Sequence, residues 1–167
     1  HRLNPASAFF AGFAFAFGGI FLEQIVQPAI LYTIAWLPWL IYLQIEYRRA
    51  RQTQNARAPI WFLLNVAALG IQFVAGSVQM AFYNAVTYAL FGFIGGMLDQ
   101  PRGEWRARIN LFVETALPIV LGGGIAAIQF IPTIELIGYS GRSGGVSYGF
   151  SAGYALPPEF LPQFLFP

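Results

Sequence analysis

Few side chains in this sequence can do acid–base or phosphate chemistry, and they fall at the ends of apolar runs. Seven acids and nine basic residues are all the charge the 167 residues hold, with one histidine, His1, and no cysteine. Glu23 and Glu135 stand at the ends of apolar runs. A carboxylate pair facing a membrane-embedded substrate is suited to proton transfer. The same two acids also fit a plainer role, solvated or paired with arginine. Arg142 lies in a Gly/Ser-rich stretch, where its planar guanidinium suits a phosphate, although a partner such as Glu135 or a lipid headgroup would satisfy it equally. Glu114 lies about one turn inside an apolar run, and an acid there is a functional candidate by default. Arg106 and Arg108 are near enough in sequence to neutralise it. Thiolate metal sites and disulfides are excluded, and neither a Ser/His/Asp set nor a metal cluster can be assembled. No cofactor is implied, and the need for a divalent metal stays open.

The elements that must hold these residues are apolar. Hydrophobic residues make up 57% and charged residues 10%, against about 25% charged in soluble domains. That is too little charge to cover a water-facing surface. The expected fold is all-α: a polytopic transmembrane bundle of about five spans, each of about 20 residues, with one long outer loop. The runs are 6–22, 29–45, 59–74, 79–98 and 111–131, followed by a loop over 133–158. The chain reads as a single membrane domain, 1–167, and as an internal piece of a longer protein, since it opens at His1-Arg2 without a start Met and stops at Leu165-Phe166-Pro167 within an apolar run.

Local signals mark the boundaries. Asn4-Pro5 predicts an N-cap followed by proline at the first helical position. Pro38, within Trp36-Leu37-Pro38-Trp39, predicts a kink, with the two indoles serving in packing or as interface anchors. Ser77 predicts a cap after the turn at 75–78. Gly122-Gly123-Gly124 lacks a following Lys-Ser/Thr, so close helix packing explains it better than phosphate binding. Mid-span polar residues are sparse: Asn65, Gln72, Asn84 and Thr87.

Arginine placement predicts orientation. All nine basic residues are arginine; Arg2, the segment 46–58 and the segment 99–110 hold eight of them, and only Arg142 falls on the other side if spans alternate. The positive-inside rule places 46–58 and 99–110 in the cytoplasm and 133–158 outside. The plain role of these arginines is to set topology and meet anionic headgroups. A net charge of +2 excludes a nucleic-acid partner as the main reading.

Several stretches resemble one family. They are Ala11-Gly12-Phe13-Ala14-Phe15-Ala16-Phe17-Gly18-Gly19, Ala35-Trp36-Leu37-Pro38-Trp39-Leu40 and Ala75-Gly76-Ser77-Val78-Gln79-Met80-Ala81-Phe82-Tyr83. Further on come Ala126-Ala127-Ile128-Gln129-Phe130-Ile131-Pro132-Thr133-Ile134-Glu135-Leu136, Ser140-Gly141-Arg142-Ser143-Gly144-Gly145, Ala155-Leu156-Pro157-Pro158 and Leu165-Phe166-Pro167. In that order they resemble the YfhO family of bacterial membrane proteins, in the GT-C glycosyltransferase superfamily. The resemblance implies a multi-pass protein of the bacterial cytoplasmic membrane. It implies sugar transfer from a polyprenyl-phosphate carrier to a cell-envelope acceptor on the outer face. The family's catalytic Asp would lie in a first outer loop upstream of His1, so no catalytic residue is assigned here. Glu23, Gln79, Glu135 and Arg142 are the expected substrate-lining residues. The sequence departs from the pattern at Gln24 and Gln27, where relatives carry His, and at Gly76-Ser77-Val78-Gln79, where they often read Gly-His-Pro-Gln. A non-catalytic scaffold of the same fold and a lipid or solute transporter are the competing expectations.

Overall fold

A computed structural model of the chain describes residues 4–19, 21, 24–99, 105–140, 144–145, 147–153 and 160. The described residues form helices α1 (Pro5–Ala16), α2 (Pro28–Ile34), α3 (Leu37–Gln52), α4 (Ala58–Val74), α5 (Val78–Asp99), α6 (Trp105–Gly138) and α7 (Tyr148–Ala152), with a 3₁₀ turn at Gln24–Val26 and no strand. The chain divides into two compact units, His1–Ile128 and Gln129–Pro167.

Among the described residues, three helical stretches are long and apolar enough to cross a membrane: Pro28–Gln52, which takes in α2 and α3, Val78–Leu98 and Trp105–Gly138. α1 and α4 are apolar but shorter. Large apolar side chains cover the outside, among them Ile128 at 82% and Leu98 at 81% exposure. Water would penalise such a surface, whereas lipid does not. The chain is therefore a membrane-embedded helical protein.

The local signals act as their chemistry dictates. The Asn4 side chain accepts from the Ala6 N–H at 3.1 Å, with Pro5 opening α1. Phe9, Phe13 and Phe17 then stack along one exposed edge of that helix. Pro38 has no N–H to give the Ile34 carbonyl, and α2 ends at Ile34 while α3 restarts at Leu37. Trp36 packs against the core of Leu40, Leu43, Ala68, Leu69 and Tyr88, but Trp39 is exposed. Trp36 thus takes the packing role. Ser77 caps α5, its Oγ accepting from the Met80 N–H at 3.4 Å.

Contacts along the helices fix their directions. Thr33, Gln44 and Arg48 meet α5 successively at Asn84, Gly92 and Gly95, so α2–α3 and α5 run parallel. Gln72 and Asn65 meet α5 at Asn84 and Tyr88, so α4 runs opposite to it. Leu111 lies against Gly96, and Thr115 reaches Gly92, so α6 is also antiparallel to α5. The links at 53–57 and 75–77 are short, as expected between antiparallel neighbours.

Glycines bring these helices together. A Cβ on Gly92 would collide with the Gln44 amide, and one on Gly96 would collide with Leu111. At Gly122 it would meet Leu69 Cβ at 2.7 Å, whereas Gly123 and Gly124 face open space. Close packing therefore explains only the first of those three glycines.

The helix end at Pro132 differs from expectation. α6 continues through Thr133 to Gly138, so the first residues of the expected loop 133–158 are helical. Proline at 132 forfeits one bond, to the Ile128 carbonyl, and the bonds of the following residues carry the helix onward.

α3 ends in a Schellman motif. The Asn55 N–H donates to the Ala50 carbonyl at 2.8 Å, the Gln54 N–H donates to Arg51, and Gln54 takes the left-handed conformation at φ 51°. A side chain in that conformation costs about 1–2 kcal/mol. Gln54→Gly is expected to stabilise the protein by about 1 kcal/mol. Thermal unfolding in detergent checks this, and an unchanged or lower midpoint refutes it.

Candidate functional site

The first unit concentrates its polar side chains in two places. One is a buried seam between α2, α4 and α5. Asn84 Nδ2 donates to the Thr33 carbonyl at 2.8 Å and to Gln72 Oε1 at 2.8 Å. Gln72 Nε2 donates to the Ala81 carbonyl at 3.3 Å. Thr33 Oγ1 donates to the Ala29 carbonyl and accepts from the Ser77 N–H. Further along, Tyr88 OH donates to Asn65 Oδ1 at 3.0 Å, and Asn65 Nδ2 donates to the Trp61 carbonyl at 2.8 Å. Thr33, Asn65, Gln72 and Tyr88 are fully buried.

These bonds join helices. An unpaired amide in an apolar surrounding costs about 1–3 kcal/mol, so each partner holds the other in place. Asn65 and Gln72 are seven residues apart on α4, and Asn84 and Tyr88 four apart on α5, so each pair shares one face. The four mid-span polar residues therefore do different work: Asn65, Gln72 and Asn84 fasten the interior, while exposed Thr87 bonds the Tyr83 carbonyl one turn back.

The second concentration is the end of the bundle where α3 finishes and α6 begins. Glu114 accepts from Arg51 Nη2 at 2.6 Å and from Nε at 3.1 Å, a two-pronged ion pair between α3 and α6. This replaces the local partners, Arg106 and Arg108, that sequence proximity suggests. Arg49 pairs with Glu46 one turn back along α3. The Arg48 guanidinium lies over Gly95, with Nη1 2.8 Å from where a Cβ would stand. Tyr47, Arg51, Pro59 and Phe62 border an open groove of about 360 Å³ beside the ion pair.

Of the four residues expected to line a substrate site, Glu23 and Arg142 lie outside the described residues. Gln79, in the first unit, is exposed on the opening turn of α5, where its Nε2 donates to Tyr83 OH at 3.1 Å. Glu135, in the second unit, is exposed on the last turns of α6. Thr133 and Ser140 in that unit bond backbone carbonyls of their own segment. Among the described residues no group of three or more His, Asp or Glu stands together to hold a metal.

Fold and polar groups together define an all-helical, membrane-embedded protein whose described interior is fastened by hydrogen bonds between helices. No protein-family model, curated protein or solved structure matches the chain.

The seam yields a quantitative expectation. Gln72→Leu and Asn84→Leu should each destabilise the protein by about 1–2 kcal/mol, with the double variant losing less than the sum by roughly 0.5–1.5 kcal/mol. Unfolding of the three variants in detergent measures that coupling. Simple additivity would show that the Gln72–Asn84 bond contributes nothing of its own.

Proposed function

We propose that the chain belongs to a lipid-linked-sugar glycosyltransferase of the YfhO type, in which this segment builds the membrane bundle and another segment supplies the catalytic base. The reaction moves a sugar from a polyprenyl-phosphate carrier to a cell-envelope acceptor at the outer face of the bacterial cytoplasmic membrane. The observation that carries this reading is the ordered run of motifs between Ala11 and Pro167. Arg142, in the Ser140–Gly145 motif, neutralises the carrier phosphate as it leaves; Glu23, Gln79 and Glu135 are the other residues that the resemblance gives as substrate-lining. Replacing Arg142 by Ala in the whole protein is expected to lower the transfer rate by about 10²–10³-fold, the scale of losing a charge-stabilising donor. A wild-type rate removes Arg142 from the chemistry.

The topology that goes with this reading has five crossings, through α1, α2–α3, α4, α5 and α6, with 46–58 and 99–110 inside. Two observations support it. α4 is antiparallel to, and packed against, two helical stretches long enough to span, so it returns the chain across the same layer. Arg51 and Glu114 pair at one end of the bundle, gathering the arginines of α3 with the start of α6. The chain contains no cysteine, so single cysteines report cleanly. Gln54→Cys should resist a membrane-impermeant maleimide until cells are opened, and Ser140→Cys should react in intact cells. The reverse pattern overturns the orientation.

A non-catalytic scaffold of the same architecture is the second reading. It is favoured by the acids: Glu46 and Glu114 are paired with arginines and Glu135 is exposed on a helix surface. Purified whole protein that binds the lipid-linked sugar without transferring it would select the scaffold. Transport has less support, because Asn65, Gln72 and Asn84 are committed to helix contacts.

A further inference from the structure

One face of α5 carries an open apolar groove that ends beneath two arginines of α3. The apolar part, about 370 Å³, is lined by Thr87, Leu90, Phe91, Ile94, Gly95 and Leu98. A second, polar hollow of about 530 Å³ adjoins it and shares Phe91, Gly95 and Leu98, adding Arg48, Arg49 and Gln52. The two hollows adjoin along that shared wall and differ chemically. Leu90, Ile94 and Leu98 are more than half exposed, so the apolar end opens outward.

Its dimensions and charge select an occupant. From Thr87 to Leu98 is eleven helical steps, about 16 Å at 1.5 Å per residue. One leaflet of a bilayer core is about 15 Å thick. The depression therefore runs from the basic end of the bundle to near the middle of the membrane, the reach of one acyl chain. At the basic end Arg48 rests on the Gly95 backbone, where no side chain displaces it, and Arg49 lies beside it with Glu46 as its carboxylate partner. Arginine presents several donors in a planar fork suited to a phosphate diester. The neighbouring Gln52 amide adds a neutral donor.

We propose that this groove is a binding site for an anionic phospholipid of the leaflet at the basic end, with its phosphate at Arg48, Arg49 and Gln52 and an acyl chain along Leu90, Ile94 and Leu98. The site is independent of sugar transfer and needs only the embedded bundle. It differs from general attraction between basic loops and a charged surface, because the groove fixes where the acyl chain lies.

Native mass spectrometry of the chain released from detergent, titrated with phosphatidylglycerol, phosphatidylcholine or inorganic phosphate, tests this. Phosphatidylglycerol should bind in preference to phosphatidylcholine, and inorganic phosphate alone should give no retained adduct. The double variant Arg48→Ala/Arg49→Ala should weaken phosphatidylglycerol about tenfold, while Arg106→Ala/Arg108→Ala, basic at the same end but off the groove, should leave it unchanged. Gly95→Leu, which fills the junction, should weaken it comparably, and circular dichroism of each variant verifies that the helices are retained. Equal binding of the two lipids, or equal loss on removing either arginine pair, overturns the site in favour of diffuse headgroup attraction. Retention of inorganic phosphate to the same degree overturns the lipid as its occupant.

Discussion

A proline within a membrane-crossing stretch leaves backbone carbonyls without their helical partners, and lipid offers no replacement. Pro38 does this to the Ile34 carbonyl between α2 and α3, and bonds from other helices gather on the residue beside it. The Thr33 carbonyl accepts both the Trp36 N–H at 3.3 Å and Asn84 Nδ2 from α5 at 2.8 Å, and the same amide nitrogen holds Gln72 of α4. Thr33 in turn receives the Ser77 N–H at the start of α5. One interrupted helix is thereby joined to two others. The turn at Gly76, with φ 133°, sits so close to Ala29 that an added Cβ would lie 2.9 Å from Ala29 Cβ. The break, the turn and the seam are mutually dependent, so a change at any of them is felt at the others.

The two polar concentrations contrast in kind. The seam is buried, neutral and satisfied by short-range amide and hydroxyl bonds. The basic end is partly exposed and charged, with side-chain exposure of 55% for Arg51 and 26% for Glu114. An ion pair so placed contributes only about 0.5 kcal/mol to stability. Its value is positional: it ties the last turn of α3 to α6. The interior thus sets how the helices pack, and the charged end joins α3 to α6.

Much of the fold was legible because its signals are local. Asn4, Pro38 and Ser77 each act on backbone groups within four residues, and each does what its chemistry predicts. Pro132 misled because a single missing hydrogen bond is a weak stop inside an apolar helix, and helical residues continue to Gly138. Partners distant in sequence were invisible. Nothing local distinguishes Arg51, 63 residues away, from Arg106 and Arg108 as the mate of Glu114. Nor does composition separate Gly122, pressed against Leu69, from Gly123 beside it. The pairing of Asn65 and Gln72 with α5 did leave a trace, in their seven-residue spacing and the four-residue spacing of Asn84 and Tyr88. The expected site is less legible than the fold, since Gln79 and Glu135 are surface residues and a substrate contact leaves no periodic pattern.

Gly92, Gly95 and Gly96 put the last two turns of α5 in debt to side chains from elsewhere: Gln44 and Arg48 from α3, and Leu111 from α6. α3 precedes α5 in the chain and α6 follows it. During synthesis one side of this glycine surface can be covered as soon as α5 is inserted, but the other has no filler until α6 arrives. Assembly of the basic end is therefore sequential, and α5 spends an interval with bare backbone turned to lipid. That interval is when the nascent bundle is most open to pairing with the wrong helix.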